Sequence, residues 1–213
     1  MLNAGAAAAG GAGGQVGLMP ADIEFRGRAR GRWQINVYDP TPFFKALEPV
    51  LRLLPKIDLE RIRRLPWARK LREVRTWENL VTTEGKNYLL ATGLDGGTPI
   101  TTWYLSLTDG TPTAAAGDTM ASHAGWVEVT GYDEAARQTW TGGTAASASI
   151  DNSASVATFT ITSNSTTVGG AFLTSVNTKG GATGTLYAIG AFSGGDLVLN
   201  AGSTLDVTAT FTA

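Results

Sequence analysis

His123 is the only histidine in the 213 residues, with Ser122 beside it and Asp118 five positions earlier. Those three residue types perform acyl transfer when a fold brings hydroxyl, imidazole and carboxylate into one line. Spacing along a chain does not assemble them, and no serine here sits in a Gly-x-Ser-x-Gly elbow. His123 is therefore expected to be structural or solvated. Asp95, Asp109, Asp118, Asp133, Asp151 and Asp196 fall mostly in turn-like stretches, where a short carboxylate bonds its own backbone. They lack EF-hand spacing, and calcium in one of these loops stays open. The chain has no cysteine, which excludes thiol catalysis, thiolate metal sites and disulfides. Gly10–Gly17 is glycine-rich, but it has no phosphate-loop lysine and no preceding strand, so it predicts no nucleotide site. An enzyme, such as a glycan hydrolase acting through His123 or Asp118, is the reading least supported. No catalytic residue, metal or cofactor is assigned.

Charge carries more information. Fourteen of the 17 Lys and Arg lie in residues 1–75, against seven acids; residues 76–213 hold Lys86, Arg137 and Lys179 against eleven. The formal net charge of −1 conceals a basic front and an acidic back. Such asymmetry predicts one part that docks and one that is displayed. Arg26, Arg28, Arg30 and Arg32, spaced by two, share one side of an extended chain. With Phe43, Phe44, Arg61, Arg63, Arg64 and Trp67 they form the candidate docking set. An acidic protein partner fits these residues better than nucleic acid, for which no recognition motif is present; a solvated face is the bland alternative. Of the six tryptophans, Trp33, Trp77, Trp103 and Trp126 occur in strand-like segments. That makes core packing the first expectation and a carbohydrate platform the second.

These residues must be positioned by recognisable elements. Residues 1–22 are rich in Ala and Gly and read as a flexible arm rather than a targeting segment. Trp33, Ile35 and Val37 alternate with polar residues as a strand does. Thr41-Pro42 opens a helix that Pro49 should kink or split and Pro55 ends. A second helix is expected from Asp58 to about Leu71, interrupted at Pro66, and strand character returns at Glu73–Glu78. The stretch 40–72 is then a basic helical insertion in a β-hairpin, better suited to packing on another subunit than to lying on a membrane. Thr82 or Thr83 caps a helix over residues 84–94 with Tyr88, Leu89 and Leu90 facing the core; Ala114–Ala124 is a second helical stretch. Strands are expected around 101–108, 126–130, 157–162 and 205–212, with threonine and serine outward and turns at Asp109-Gly110, Gly142-Gly143, Gly169-Gly170, Gly180-Gly181 and Gly194-Gly195. The class is mainly β: an antiparallel β-sandwich, immunoglobulin-like or jelly-roll-like. The organisation is an arm (1–22), a hairpin with docking insertion (23–78) and a sandwich (79–213). No run is long and apolar enough for a membrane helix.

The segment Asn79-Leu80-Val81-Thr82-Thr83-Glu84-Gly85-Lys86-Asn87-Tyr88-Leu89-Leu90 resembles a recurring element of tailed-bacteriophage virion proteins, in which Asn-x-Val-Thr leads into a helix carrying Gly and a Leu pair. The resemblance continues through residues 101–107, 118–126, 170–175 and 184–187 into the last strand, and includes Arg32–Tyr38. It implies a small, non-enzymatic virion structural protein of the head-decoration, head-fibre, neck or collar, or tail type. The implied location is the particle, assembled in the host cytoplasm. The implied partners are capsid, portal or neck proteins and further copies of the chain. A carbohydrate-binding host-recognition module and a tail or baseplate component are the alternatives. The family joins its first two strands by a short turn; here residues 40–72 replace it.

Overall fold

Trp33, Ile35 and Val37 point into the core and Arg32 and Gln34 into solvent, as the alternation requires. They lie on β1 (Arg30–Pro40) of the computed structural model, which describes residues 30–212. The helical insertion follows as α1 (Pro42–Leu51) and α2 (Leu59–Arg63), and β2 (Arg69–Val81) returns antiparallel to β1. Next comes α3 (Thr83–Leu94), then β3 (Trp103–Thr108), β4 (Gln138–Trp140), β5 (Ser149–Asp151), β6 (Ala157–Thr160), β7 (Thr166–Val168), β8 (Gly170–Thr174), β9 (Leu186–Ala191), β10 (Leu197–Leu199) and β11 (Thr204–Thr212).

The fold is mainly β, an antiparallel sandwich that is nearly closed. Hydrogen-bonded order runs β4-β3-β8-β9-β2-β1-β11-β5, with β6 also on β11 and β7 with β10 as a separate pair. β1 lies between β2 and β11, so the hairpin that carries the insertion is the middle of the sheet. The boundary expected at residue 78 falls inside β2.

Aromatic rings link the core edge to edge. Trp33 meets Trp77 at 6.0 Å and Phe211 at 6.1 Å, and Phe211 meets Tyr187 at 5.1 Å. Offset and edge-to-face contacts of this kind add to the area the rings bury.

β3 differs from the expected half-buried pattern, and β8 and β9, which the sequence pattern did not predict as strands, are buried on both faces beside it. Ser106, Thr108 and Thr174 are buried, as are Thr158, Thr160 and Thr204 elsewhere. A second cluster of Met120, Trp126, Phe172, Leu186 and Ile189 covers the far face of these strands. On β3 and β8 the threonine and serine face is thus inside, beneath the 111–137 connection, whereas Thr208, Thr210 and Thr212 of β11 remain part-exposed or exposed as expected. That connection also overturns two expected elements. Residues 114–124 form turns, not a helix, with Asp118 Oδ2 accepting from the Ala115 N–H. Residues 126–130 run beside β3 through Asp109 N–H to Val127 O and Val129 N–H to Leu107 O without forming a strand. Gly169 is no surface turn either; a Cβ there would sit 2.0 Å from the Gly110 backbone.

α3 begins where expected, with Thr82 Oγ1 accepting from Gly85 N–H. It packs on β9 through Gly85, where a Cβ would lie 2.3 Å from the Tyr187 carbonyl oxygen. That contact sets the helix rotation. Gly85, Tyr88 and Thr92 face inward, while Leu89, Leu90 and Leu94 are exposed, contrary to the expected core role of Leu89 and Leu90.

Candidate functional site

The insertion is built on its two ends. Thr41 caps α1 by accepting from Phe44 N–H at 3.2 Å, and its hydroxyl donates to Trp67 O at 2.9 Å. Thr41 N–H to Ala68 O closes the base. Pro49 does not split α1, which runs on to Leu51. Asp58 caps α2 through Arg61 N–H at 3.0 Å. α2 stops at Arg63, not near Leu71. Pro66 disfavours helix for the residue before it, and Arg69 and Lys70 find strand partners in Pro40 and Asp39.

The candidate docking residues separate into three groups. Arg26 and Arg28, like the arm at 1–22 and Gly10–Gly17, lie outside the described residues. Arg30 and Arg32 are exposed on the outer face of β1, Arg32 opposite Glu78 and Thr210. In the insertion, Phe43, Arg61, Arg64 and Trp67 are exposed, but Phe44 and Arg63 are not.

Phe44 is fully buried and packs edge-on to Trp67 at 6.0 Å. Arg63 is 5% exposed; it donates to Glu48 at 2.5 Å and to Asp133 at 2.9 Å. It locks α2 to α1 and fastens both to the 132–134 connection of the sandwich. Both residues are therefore internal supports, which corrects their expected role as contact residues. Burial works against charge on Glu48, but hydrogen bonds and attraction from Arg63 and Arg52 outweigh it and hold its carboxyl below the usual range. Sequence reading had no signal for Glu48 or Asp133: Asp133 is 70 residues from Arg63.

What the insertion leaves outside is distinctive. Phe43 (67% exposed), Leu53 (82%), Val50, Leu54 and Trp67 face solvent. Lys45, Lys56, Arg61 and Arg64 are exposed in the same insertion, as are Asp58 and Glu60, which line a surface depression with Arg61 and Arg64. Exposed large apolar side chains concentrated in one insertion mark interaction sites more often than accident.

Elsewhere the chemistry-bearing residues are engaged in holding the fold. His123 stacks on Trp126 at 3.7 Å with Nδ1 3.0 Å from Trp126 O. Asp118 accepts from Trp126 Nε1 at 3.1 Å, so it serves the indole and not the imidazole. Asp151 accepts from Ser153 N–H as a turn brace, and Asp196 accepts from the Thr111 hydroxyl, tying together two loops 85 residues apart. Among the described residues, no three His, Asp or Glu side chains converge as metal ligands would. Trp33, Trp77 and Trp126 are core residues, and Trp103 and Trp140 pack against the core. No described helix is long and apolar enough to cross a membrane.

No protein-family model matches the chain, no curated protein is similar to it, and no solved structure matches it.

Proposed function

We propose that this chain is a non-enzymatic structural protein of a tailed-phage particle, docking on an acidic surface of a particle protein through its insertion and displaying the sandwich outward. The observation that carries the docking half is the exposed apolar and basic face of the insertion, held rigidly by the Arg63 clamp. Apolar side chains supply contact area, and the surrounding cations steer and select an acidic partner. The virion assignment rests on the resemblance in residues 79–90 and the segments after it.

Particles lacking this protein, incubated with the purified chain, provide the test. Wild type should bind with an affinity that falls as salt rises. Arg61→Glu with Arg64→Glu should weaken binding by about tenfold or more, since like charges facing an acidic surface cost over 1 kcal/mol. Salt-insensitive binding that ignores both substitutions would defeat the docking reading. No binding to any particle component would defeat the virion reading. Copy number per particle, from quantitative densitometry, then separates a many-copy decoration role from a neck or collar role.

A further inference from the structure

A second feature lies at the opposite end of β1 from the insertion. The start of β1, the end of β2 and the end of β11 meet there, and α3 follows directly from β2. An apolar hollow of about 260 Å³ opens at this end, with Leu173 and Phe211 buried in it and Tyr88, Trp103, Trp140 and Ile150 as its part-buried walls. It lies where the sheet stops short of closing. Trp140 is on β4 and Ile150 on β5, the two strands at the ends of the hydrogen-bonded order. The mouth of a β-barrel is a common place for a small ligand.

The walls are held in place. Trp140 Nε1 donates to Ala209 O at 3.2 Å, and Ile100 N–H donates to Tyr88 Oη at 2.9 Å. Trp103 sits edge to face with Tyr88 on one side and Tyr187 on the other, at 5.1 and 5.3 Å. Rings fixed in this way do not swing inward to fill the space between them. Water against such walls costs roughly 25 cal/mol for each Å² left uncovered.

The lining defines the chemistry that suits it. None of the described lining side chains is charged, so an ionic ligand would lose its hydration without gaining a counter-charge. The Thr92 hydroxyl is engaged, donating to Tyr88 O and Leu89 O. Tyr187 is the exception. It is only 9% exposed, and its hydroxyl has no hydrogen-bond partner among the described residues, yet it is not among the atoms sealed from solvent. Burial, with Tyr88 nearby, pushes the Tyr187 phenol up to about 12, so it remains a neutral O–H donor at ordinary pH. A sugar has several hydroxyls to satisfy and would find one such group here. A flat apolar ring with a single polar atom finds a match for each of its parts. An apolar cavity of about 150 Å³ already accepts benzene, so this hollow has room for one or two fused rings.

We propose that the hollow is a binding site for a small neutral aromatic molecule carrying one hydroxyl or carbonyl, its rings against Trp103, Trp140 and Ile150 and its polar atom on Tyr187 Oη. The site is independent of the docking face, which lies at the other end of β1.

The test uses the full-length chain with two probes, 2-naphthol and naphthalene, followed by calorimetry and saturation-transfer NMR. 2-Naphthol should bind saturably, one molecule per chain. Tyr187→Phe should weaken 2-naphthol about three- to tenfold, the worth of one neutral hydrogen bond, and change naphthalene less than about twofold. Leu89 is 40% exposed on α3, so Leu89→Trp should keep the far-UV circular dichroism of the wild type while filling the hollow and abolishing binding of both probes. Absence of saturable 2-naphthol binding would overturn the proposal. So would binding that a folded Leu89→Trp variant leaves intact, or a Tyr187→Phe effect equal for the two probes. Binding of methyl glucoside in preference to 2-naphthol would overturn it in favour of a carbohydrate site.

Discussion

Arg137 and Arg63 are both buried arginines gripping carboxylates, and they sit in parts of the molecule with opposite surroundings. Arg137 belongs to the sandwich. It donates to both oxygens of Glu128, at 2.9 and 2.7 Å, and to the carbonyls of Val176 and Gly181; Glu128 also accepts from Ser106 and Gly180. The groups around that pair are satisfied by one another inside the fold. Arg63 belongs to the insertion, and its clamp is surrounded by exposed apolar side chains and exposed cations. One arginine completes an interior. The other stiffens an insertion whose large apolar side chains and several cations stay exposed. A buried ion pair is thus uninformative about function until the surfaces around it are considered.

The sharpest way to break the comparison is Arg137→Met. Removing one partner of a buried, hydrogen-bonded pair leaves Glu128 uncompensated, and about 3–5 kcal/mol of stability should be lost. Urea denaturation measures it; a loss under about 1 kcal/mol would mean water already reaches Glu128.

Arg63→Met should cost less, about 1–3 kcal/mol, because Asp133 is 43% exposed and keeps its hydration. Its effect depends on pH. Glu48 titrates in the folded protein below its ordinary 4.5, so the clamp contributes fully above that value and is lost as pH falls through the lower folded one. Stability curves of wild type and variant should therefore converge on acidification. Curves that stay parallel would show that Glu48 does not power the clamp.

Arg61→Glu with Arg64→Glu should change stability by no more than about 0.5 kcal/mol, since both side chains are exposed and away from the core. Against the Arg137 result, this would place the insertion's exposed cations outside the business of folding. A large loss would erase the distinction.

How much of this could be seen in the sequence follows from how local each signal is. The alternation at Trp33–Val37, the Thr41 and Thr82 caps and the helix start at Asp58 all depend on neighbours within a few residues, and they hold. The buried threonines of β3 and β8 did not announce themselves. Their cover comes from Met120 and Trp126 on a distant connection, and period-two patterning cannot distinguish solvent from a second layer. Leu89 and Leu90 misled because a leucine pair reads as core until Gly85 is known to fix the helix rotation. In the docking set, Arg61 and Arg64 were legible as exposed, while Arg63 was not separable from them. Its two carboxylate partners are fixed only by tertiary structure.

The placement of β1 has a consequence for synthesis. Its pairing with β2 closes over a short stretch of chain, whereas its pairing with β11 joins Arg30 to Thr212. Contacts so distant along the chain form late and slowly. On the ribosome, the hairpin and its helices can assemble while one edge of β1 still awaits β11, leaving Trp33 without Phe211 against it. The hairpin that carries the insertion is thus the earliest to acquire shape, and the strand that closes over its other edge is the last to lock.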